Sequence, residues 1–334
     1  MKTIKTLAVA LLLSTGAGAF ATSAHAASIC FAFQDLETEF WVAGHKAITT
    51  TLAEMGHTVL ERNANEDVNK QLEQVKDCIA QGVDGIIIIP QDGESANTIV
   101  KEAQNSDVPI VVFNRPPADT SKGLIVVADN AGIAEDATEF VLQQALEGAA
   151  DDAKLNALIV VGDLGDSNAI ARKQGFEAAI ANHPDRFNVI EVASEWDAAT
   201  ALANLEAAVT ANPQIDVMFT SSDFLFPTIR SVLEPRGLWK KAGEEGHIPL
   251  AGLDGDATAC QLIKEGYVDA TGVQDLYYEA EASVNAIVKA VEAGDAAPNE
   301  VIFDPGFTLT SANVGEREMD MWGCVLLSEG FLNQ

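Results

Sequence analysis

Short apolar runs alternate with longer amphipathic stretches along most of this chain, and that alternation restricts the fold more than any other feature. The run Ile86-Ile87-Ile88-Ile89 carries no polar side chain on either face. Such a strand is expected in a parallel sheet covered by helices on both sides. Residues 40–54 read as a helix that stops at Met55-Gly56, where glycine suits the C-cap. Strands are expected at 29–33, 57–61, 86–89, 109–113 and 124–127, with helices at 40–54, 68–81 and 95–105 between them. A second series follows, with strands at 157–161, 187–192, 217–220, 249–253 and 270–273. Its helices fall at 131–147, 169–182, 198–211, 227–234 and 257–265. Two comparable β-α series within 334 residues predict an α/β chain of two doubly wound parallel-sheet lobes, without a short tandem repeat.

The first residues have the marks of an export signal. Lys2 and Lys5 precede the apolar segment 7–13, and Ala24-His25-Ala26 forms an A-x-A cleavage site. Residues 1–26 are therefore expected to be removed, leaving Ala27 first. The apolar segment is too short to span a bilayer, which takes about 20 apolar residues. The formal net charge is −30, and losing two lysines makes the mature chain more acidic still. A surface of that sign repels nucleic acid and anionic lipid. Neither nucleic-acid binding nor membrane insertion is expected.

In doubly wound sheets, ligands bind beyond the carboxyl ends of the strands. The residues that follow the expected strands are Gln34-Asp35, Pro90-Gln91-Asp92, Asn114-Arg115, Gly162-Asp163, Ser221-Ser222-Asp223, Asp254-Gly255-Asp256 and Gln274-Asp275. Nearly all can hydrogen-bond, so two facing rims would enclose a polar cleft. Individually, Ser222 or Asp223 would serve equally as a helix cap and Asp254-Gly255 as a turn. Their recurrence at strand ends carries the argument.

Several of these segments resemble the ribose-binding type of periplasmic sugar receptor. The segment from Phe31 to Trp41 (FAFQDLETEFW) looks like that family's opening, and Gln81 to Pro90 (QGVDGIIIIP) resembles its most recognisable stretch. Val111-Val112-Phe113-Asn114-Arg115, Arg172 to Phe176 and Gly252 to Gly255 follow in order. The resemblance extends over about residues 28–313. It implies a type I periplasmic binding protein fold with a three-segment hinge near Val127-Ala128, Gln274 and Asp304-Pro305-Gly306. The N-terminal lobe would comprise 27–127 plus 275–303, and the C-terminal lobe 128–274 plus 304–334. It also implies a periplasmic monomer without cofactor or metal, which closes on one ligand and delivers it to the membrane permease of an ABC transporter.

Carried over by position, the resemblance makes Phe40, Trp41 and Trp196 aromatic walls of the site. Gln34, Thr38, Asn114, Arg115, Arg172, Ser222, Asp254 and Gln274 become its polar contacts. Asn114 stands where the family usually has aspartate, and Thr38 and Ser222 stand where it has asparagine. These departures alter the donor and acceptor pattern while keeping a site for a monosaccharide or related polyol. Forked arginine donors, an acceptor-only carboxylate and two-way amides suit the hydroxyl edge of such a molecule. Adjacent helical residues face different directions, so at most one of Phe40 and Trp41 is expected to be wholly core.

Cys30, Cys78, Cys260 and Cys324 include no C-x-x-C pair, which argues against a zinc site or a thioredoxin-like motif. With the lobes divided as the resemblance implies, Cys30–Cys78 and Cys260–Cys324 would each bridge within one lobe. Four buried thiols are the alternative.

No G-x-S-x-G, H-E-x-x-H or Walker motif is present. A carboxylate-pair hydrolase would have to use Asp223 and Asp254, and nearby arginines are expected to keep both ionised, which argues against an acid role. An enzyme is therefore not expected. A receptor serving a sensory kinase or chemoreceptor is an alternative use of the same cleft.

Overall fold

The computed structural model describes residues 26–333 except 118, 122 and 295–297; residues 1–25 of the expected signal segment lie outside it. The first series runs β1 (Ser28–Phe33), α1 (Glu39–Glu54), β2 (Thr58–Asn63), α2 (Val68–Ala80), β3 (Gly85–Ile88), α3 (Gly93–Asn105), β4 (Ile110–Phe113) and β5 (Leu124–Ala128). The second begins with α4 (Asn130–Glu147), β6 (Leu155–Val161), α5 (Ser167–Ala181), β7 (Phe187–Ala193), α6 (Ala198–Ala211) and β8 (Val217–Thr220). It continues through α7 (Phe226–Leu233), β9 (Leu250–Asp254), α8 (Ala257–Glu265) and β10 (Ala270–Val273). The chain ends with α9 (Leu276–Ala293), β11 (Glu300–Asp304), β12 (Phe307–Thr310), α10 (Val314–Arg317) and α11 (Trp322–Ser328), apart from short 3₁₀ turns.

Among the described residues the strands form two six-stranded sheets, ordered β2-β1-β3-β4-β5-β11 and β7-β6-β8-β9-β10-β12. The two orders match strand for strand. All ladders are parallel except the last, where β12 runs antiparallel to β10. The expected strands differ from these by a residue or two at their ends, and β11 and β12 are additional edge strands around Pro305-Gly306.

Strand periodicity explains the layers. Phe31, Ile87, Val111 and Phe113 face one side of the first sheet, with Ile48 and Leu52 of α1 and Val284 and Ile287 of α9. Cys30, Ile86, Ile88 and Val112 face the other side, with Val75 of α2 and Ile99 of α3. In the second lobe, α4 and α5 supply Ala137, Val141 and Phe176 to one face, against Ile159, Phe219 and Leu253. Central strands covered on both sides must be apolar throughout, which is why the sequence shows unbroken runs there.

The chain passes between the lobes after β5, after β10 and between β11 and β12. Helix α9 returns to pack on β3, β4 and β5 of the first sheet. Cys30 and Cys78 are disulfide-bonded across β1 and α2, and Cys260 and Cys324 join α8 to α11. No helix among the described residues is long and apolar enough to cross a membrane.

Candidate functional site

The carboxyl ends of the two sheets face each other across a cavity of about 770 Å³. All eleven residues expected at the site line it: Gln34, Thr38, Phe40, Trp41, Asn114 and Arg115 from the first lobe, then Arg172, Trp196, Ser222, Asp254 and Gln274. Local geometry explains how each is aimed. Thr38 is the N-cap of α1, its hydroxyl accepting from Trp41 N at 3.4 Å, and this sets the first helical turn at the cavity wall. Phe40 and Trp41 are only 6% and 8% exposed, yet both border the cavity, because the helix starts at the cleft and its first turn is walled on all sides. Trp196 follows β7 with a left-handed backbone (φ 57°), next to Glu195 at φ 52°. Its ring lies against Gly162, where a Cβ would come within 2.2 Å of the indole, so a side chain there would displace the ring.

The polar side chains form a ring of hydrogen bonds closed by one ion pair. Asn114 Nδ2 donates to Gln274 Oε1 (2.9 Å), and Gln274 Nε2 donates to Asp254 Oδ1 (2.8 Å). Arg172 Nη1 lies 3.0 Å from that same oxygen, while its Nε donates to Asn130 Oδ1 (2.7 Å). Asn130 Nδ2 donates to Asn168 Oδ1 (3.2 Å), and Asn168 Nδ2 returns to Asn114 Oδ1 (3.2 Å) and to its carbonyl (3.0 Å). Ser222 Oγ donates to the other oxygen of Asp254. All of these residues are buried. Because a carboxylate only accepts, the directions of the ring follow from Asp254 outward.

Arg115 makes a second knot across the cleft. Its Nη1 donates to Gln34 Oε1 (2.5 Å) and to Gln91 O (2.6 Å). Its Nε lies 3.1 Å from Asp166 Oδ2 in the opposite lobe, an ion pair without the alignment of a hydrogen bond. Asp166 also caps α5 and accepts from Trp196 Nε1 at 3.1 Å. Each guanidinium stands over a tryptophan, Arg115 over Trp41 at 5.5 Å and Arg172 over Trp196 at 5.6 Å.

Two further contacts hold the lobes together outside the cavity. Glu39, in the first turn of α1, accepts from Ala257 N (2.8 Å) and Thr258 Oγ1 (2.6 Å) at the start of α8. A carboxylate at a helix N-terminus meets free N–H groups and the positive end of the helix dipole. Phe40 meets Trp322 of the C-terminal segment edge to face, with ring centres 5.8 Å apart. Trp322 Nε1 donates to Asp254 O (3.1 Å), supporting a residue whose φ of 136° is strained for anything but glycine.

One expectation is corrected. Asp223 does not face the cleft and no arginine keeps it ionised. It is fully buried beneath the site, accepting from Gly255 N, Asp256 N and Thr271 Oγ1. Burial, reinforced by the charge of Asp254, pushes its pKa up to about 8. Burial also raises Asp254, against the pull of Arg172, Ser222 and Gln274. Asp256 is raised well above its usual value by burial and by the neighbouring carboxylates Asp223 and Glu39.

Sequence reading did not single out Asn130, Asp166, Asn168 or Glu39. Only Asp166 left a legible mark, as an N-cap before Ser167-Asn168. Gln91 was recognised as a strand-end residue but not as a partner of Arg115. No group of three or more His, Cys, Asp or Glu side chains among the described residues could hold a metal ion.

Two doubly wound lobes, crossed three times by the chain and closed over a buried polar cavity, define a hinged solute receptor. The chain belongs to the periplasmic binding protein family, whose domain model matches residues 29–295. It is 25% identical over 327 residues to a xylitol-binding protein of Mycolicibacterium smegmatis, covering 95% of this chain and 89% of that protein. It is 24% identical to a D-xylose-binding periplasmic protein of Haemophilus influenzae, over 96% of each. Among solved structures, an ABC transporter solute-binding protein from Bacillus halodurans with bound myo-inositol matches with a TM-score of 0.79 at 24% identity. That match covers 90% of this chain and 99% of the other.

Proposed function

We propose that this chain is the periplasmic solute receptor of an ABC importer, exported by cleavage of residues 1–26. It takes one uncharged monosaccharide or related polyol between its lobes as a monomer and presents it to a membrane permease. The observation that carries this reading is the electrostatic closure of both arginines. Arg172 is matched by Asp254 and Arg115 by Asp166, so neither cation is left over for an anionic substrate. What remains is a dense, neutralised array of donors and acceptors between aromatic walls, which suits hydroxyl groups.

The rim strengthens this selection. Asp35, Glu37, Glu66, Asp92 and Glu94 from one lobe face Asp163, Glu195 and Asp197 from the other. Glu66 is raised above its usual value by burial and by Glu37, Asp35 and Asp197. Such a mouth repels anions. Relatives named for xylitol and D-xylose support the polyol class.

A thermal-shift screen of the mature protein tests the reading. Xylitol, D-xylose, D-ribose and myo-inositol form one set, and D-ribose 5-phosphate and D-glucuronate the other. At least one neutral compound is expected to raise the melting temperature by several degrees, and the anions by none, since only ligands of the native form stabilise it. A shift produced by the anions alone would overturn it.

A further inference from the structure

Behind Asn114 lies a carboxyl group that the solute does not reach. Glu279, in the first turn of α9, is fully buried and does not border the cavity. Its Oε2 accepts from Asn114 Nδ2 at 3.1 Å, while its Oε1 has no hydrogen-bond partner. The second N–H of the same amide goes to Gln274 Oε1. Gln274 has no freedom to turn, because its own nitrogen is committed to Asp254.

We propose that Glu279 is a positioning residue that sets the hydrogen-bonding polarity of the site: it holds the Asn114 amide so that the solute meets its oxygen and never its nitrogen. The inference rests on the reading that the cavity takes the solute. Asn114 has two N–H donors, and both are consumed within the protein, one by Gln274 in the cavity wall and one by Glu279 behind it. Its oxygen keeps only the long 3.2 Å contact from Asn168. Reversing the amide would set its oxygen against Gln274 Oε1 and Glu279 together. Position 114 therefore presents an acceptor to a solute hydroxyl. The backbone there is left-handed (φ 63°), which asparagine tolerates better than most residues.

The charged groups facing Glu279 are Asp304 at the third crossing, Asp275 at the start of its own helix and Arg172 on α5. Burial and Asp304 raise its pKa well above the usual value, outweighing Asn114 and Arg172. A raised folded-state pKa means that this contribution to stability is full below the unfolded value and is lost as pH rises through the folded one.

The test uses Glu279→Gln, Glu279→Leu, Asn114→Asp and the double variant Asn114→Asp/Glu279→Gln. Affinity is measured by calorimetry with whichever of xylitol, D-xylose, D-ribose and myo-inositol binds the parent most tightly. Glu279→Gln keeps an acceptor and is expected to bind within about threefold of the parent, whereas Glu279→Leu removes one of the two acceptors that hold the amide and loses about tenfold. Asn114→Asp sets carboxyl against carboxyl and is expected to lose at least tenfold at pH 8 and less at pH 5. Adding Glu279→Gln supplies a donor on one side, while the Gln274 oxygen stays opposed, and restores part of the loss. A Glu279→Leu variant that binds like the parent, or a double variant no better than Asn114→Asp, overturns the assignment.

A ligand-free arm separates this from the ligand reading. The melting-temperature deficit of Asn114→Asp is expected to be larger at pH 8 than at pH 5 and to shrink in the double variant. If none of the four compounds binds the parent, the ligand reading falls. A deficit undiminished in the double variant overturns the role of Glu279 by itself.

Discussion

Replacing Arg172 with leucine is expected to abolish solute binding and to cost about 3–5 kcal/mol of stability, the usual penalty for removing one partner of a buried ion pair. Arg172 is 4% exposed and joins Asn130, the carbonyl of Ser221 and Asp254. Without it the cluster of Asp254, Asp223 and Asp256 has no cation in contact. Asp254 would then take up a proton and cease to be the acceptor from which the ring takes its direction. Lysine is not an adequate substitute, because a single ammonium cannot serve partners that lie along both Nε and Nη1. Arg172→Lys is expected to weaken binding by at least tenfold in calorimetry, with the loss of stability read from denaturant unfolding. A lysine variant that binds within threefold of the parent would show that the guanidinium does not organise the site.

The second large effect is expected from the bond between Cys260 and Cys324. It closes a loop of 64 residues, and the chain-entropy model assigns about 4 kcal/mol to a loop of that length. The bond fixes α11 to α8, and the fixed segment carries Trp322 beneath Asp254. There is no spare room at that junction: a Cβ on Gly323 would fall within 2.2 Å of the Asp256 backbone. The variant Cys260→Ala/Cys324→Ala is therefore expected to lose both stability and affinity, as the support for the strained Asp254 backbone loosens. Thermal unfolding and titration of the same sample read the two effects. Equal affinity despite the stability loss would mean that the C-terminal segment is a brace for the lobe and not for the site.

The sheets, and the residues at their carboxyl ends, were legible in the sequence because a buried parallel strand has a compositional signature and its end has a fixed place. Asn114, Asp254 and Gln274 could be found that way. Asn130, Asn168 and Glu39 could not. They sit in helices, where a polar residue looks the same whether it faces solvent or another lobe, and their partners are distant in sequence. Glu39 meets Ala257 and Thr258 more than 200 positions away. The depth of Asp223 was hidden for a related reason. Ser222 and Asp223 follow the same strand, but only the folded backbone shows that one turns into the cleft and the other beneath it.

A crystal structure of the mature protein with the tightest neutral polyol is the most direct measurement. It is expected to show the solute enclosed between the lobes, its hydroxyls within about 3 Å of Arg172, Asp254 and the Asn114 oxygen, and an aromatic ring among Phe40, Trp41 and Trp196 against its carbon face. Solute density outside that cavity, or an Asn114 nitrogen turned toward the solute, would contradict the assignment of the cleft and of its polarity.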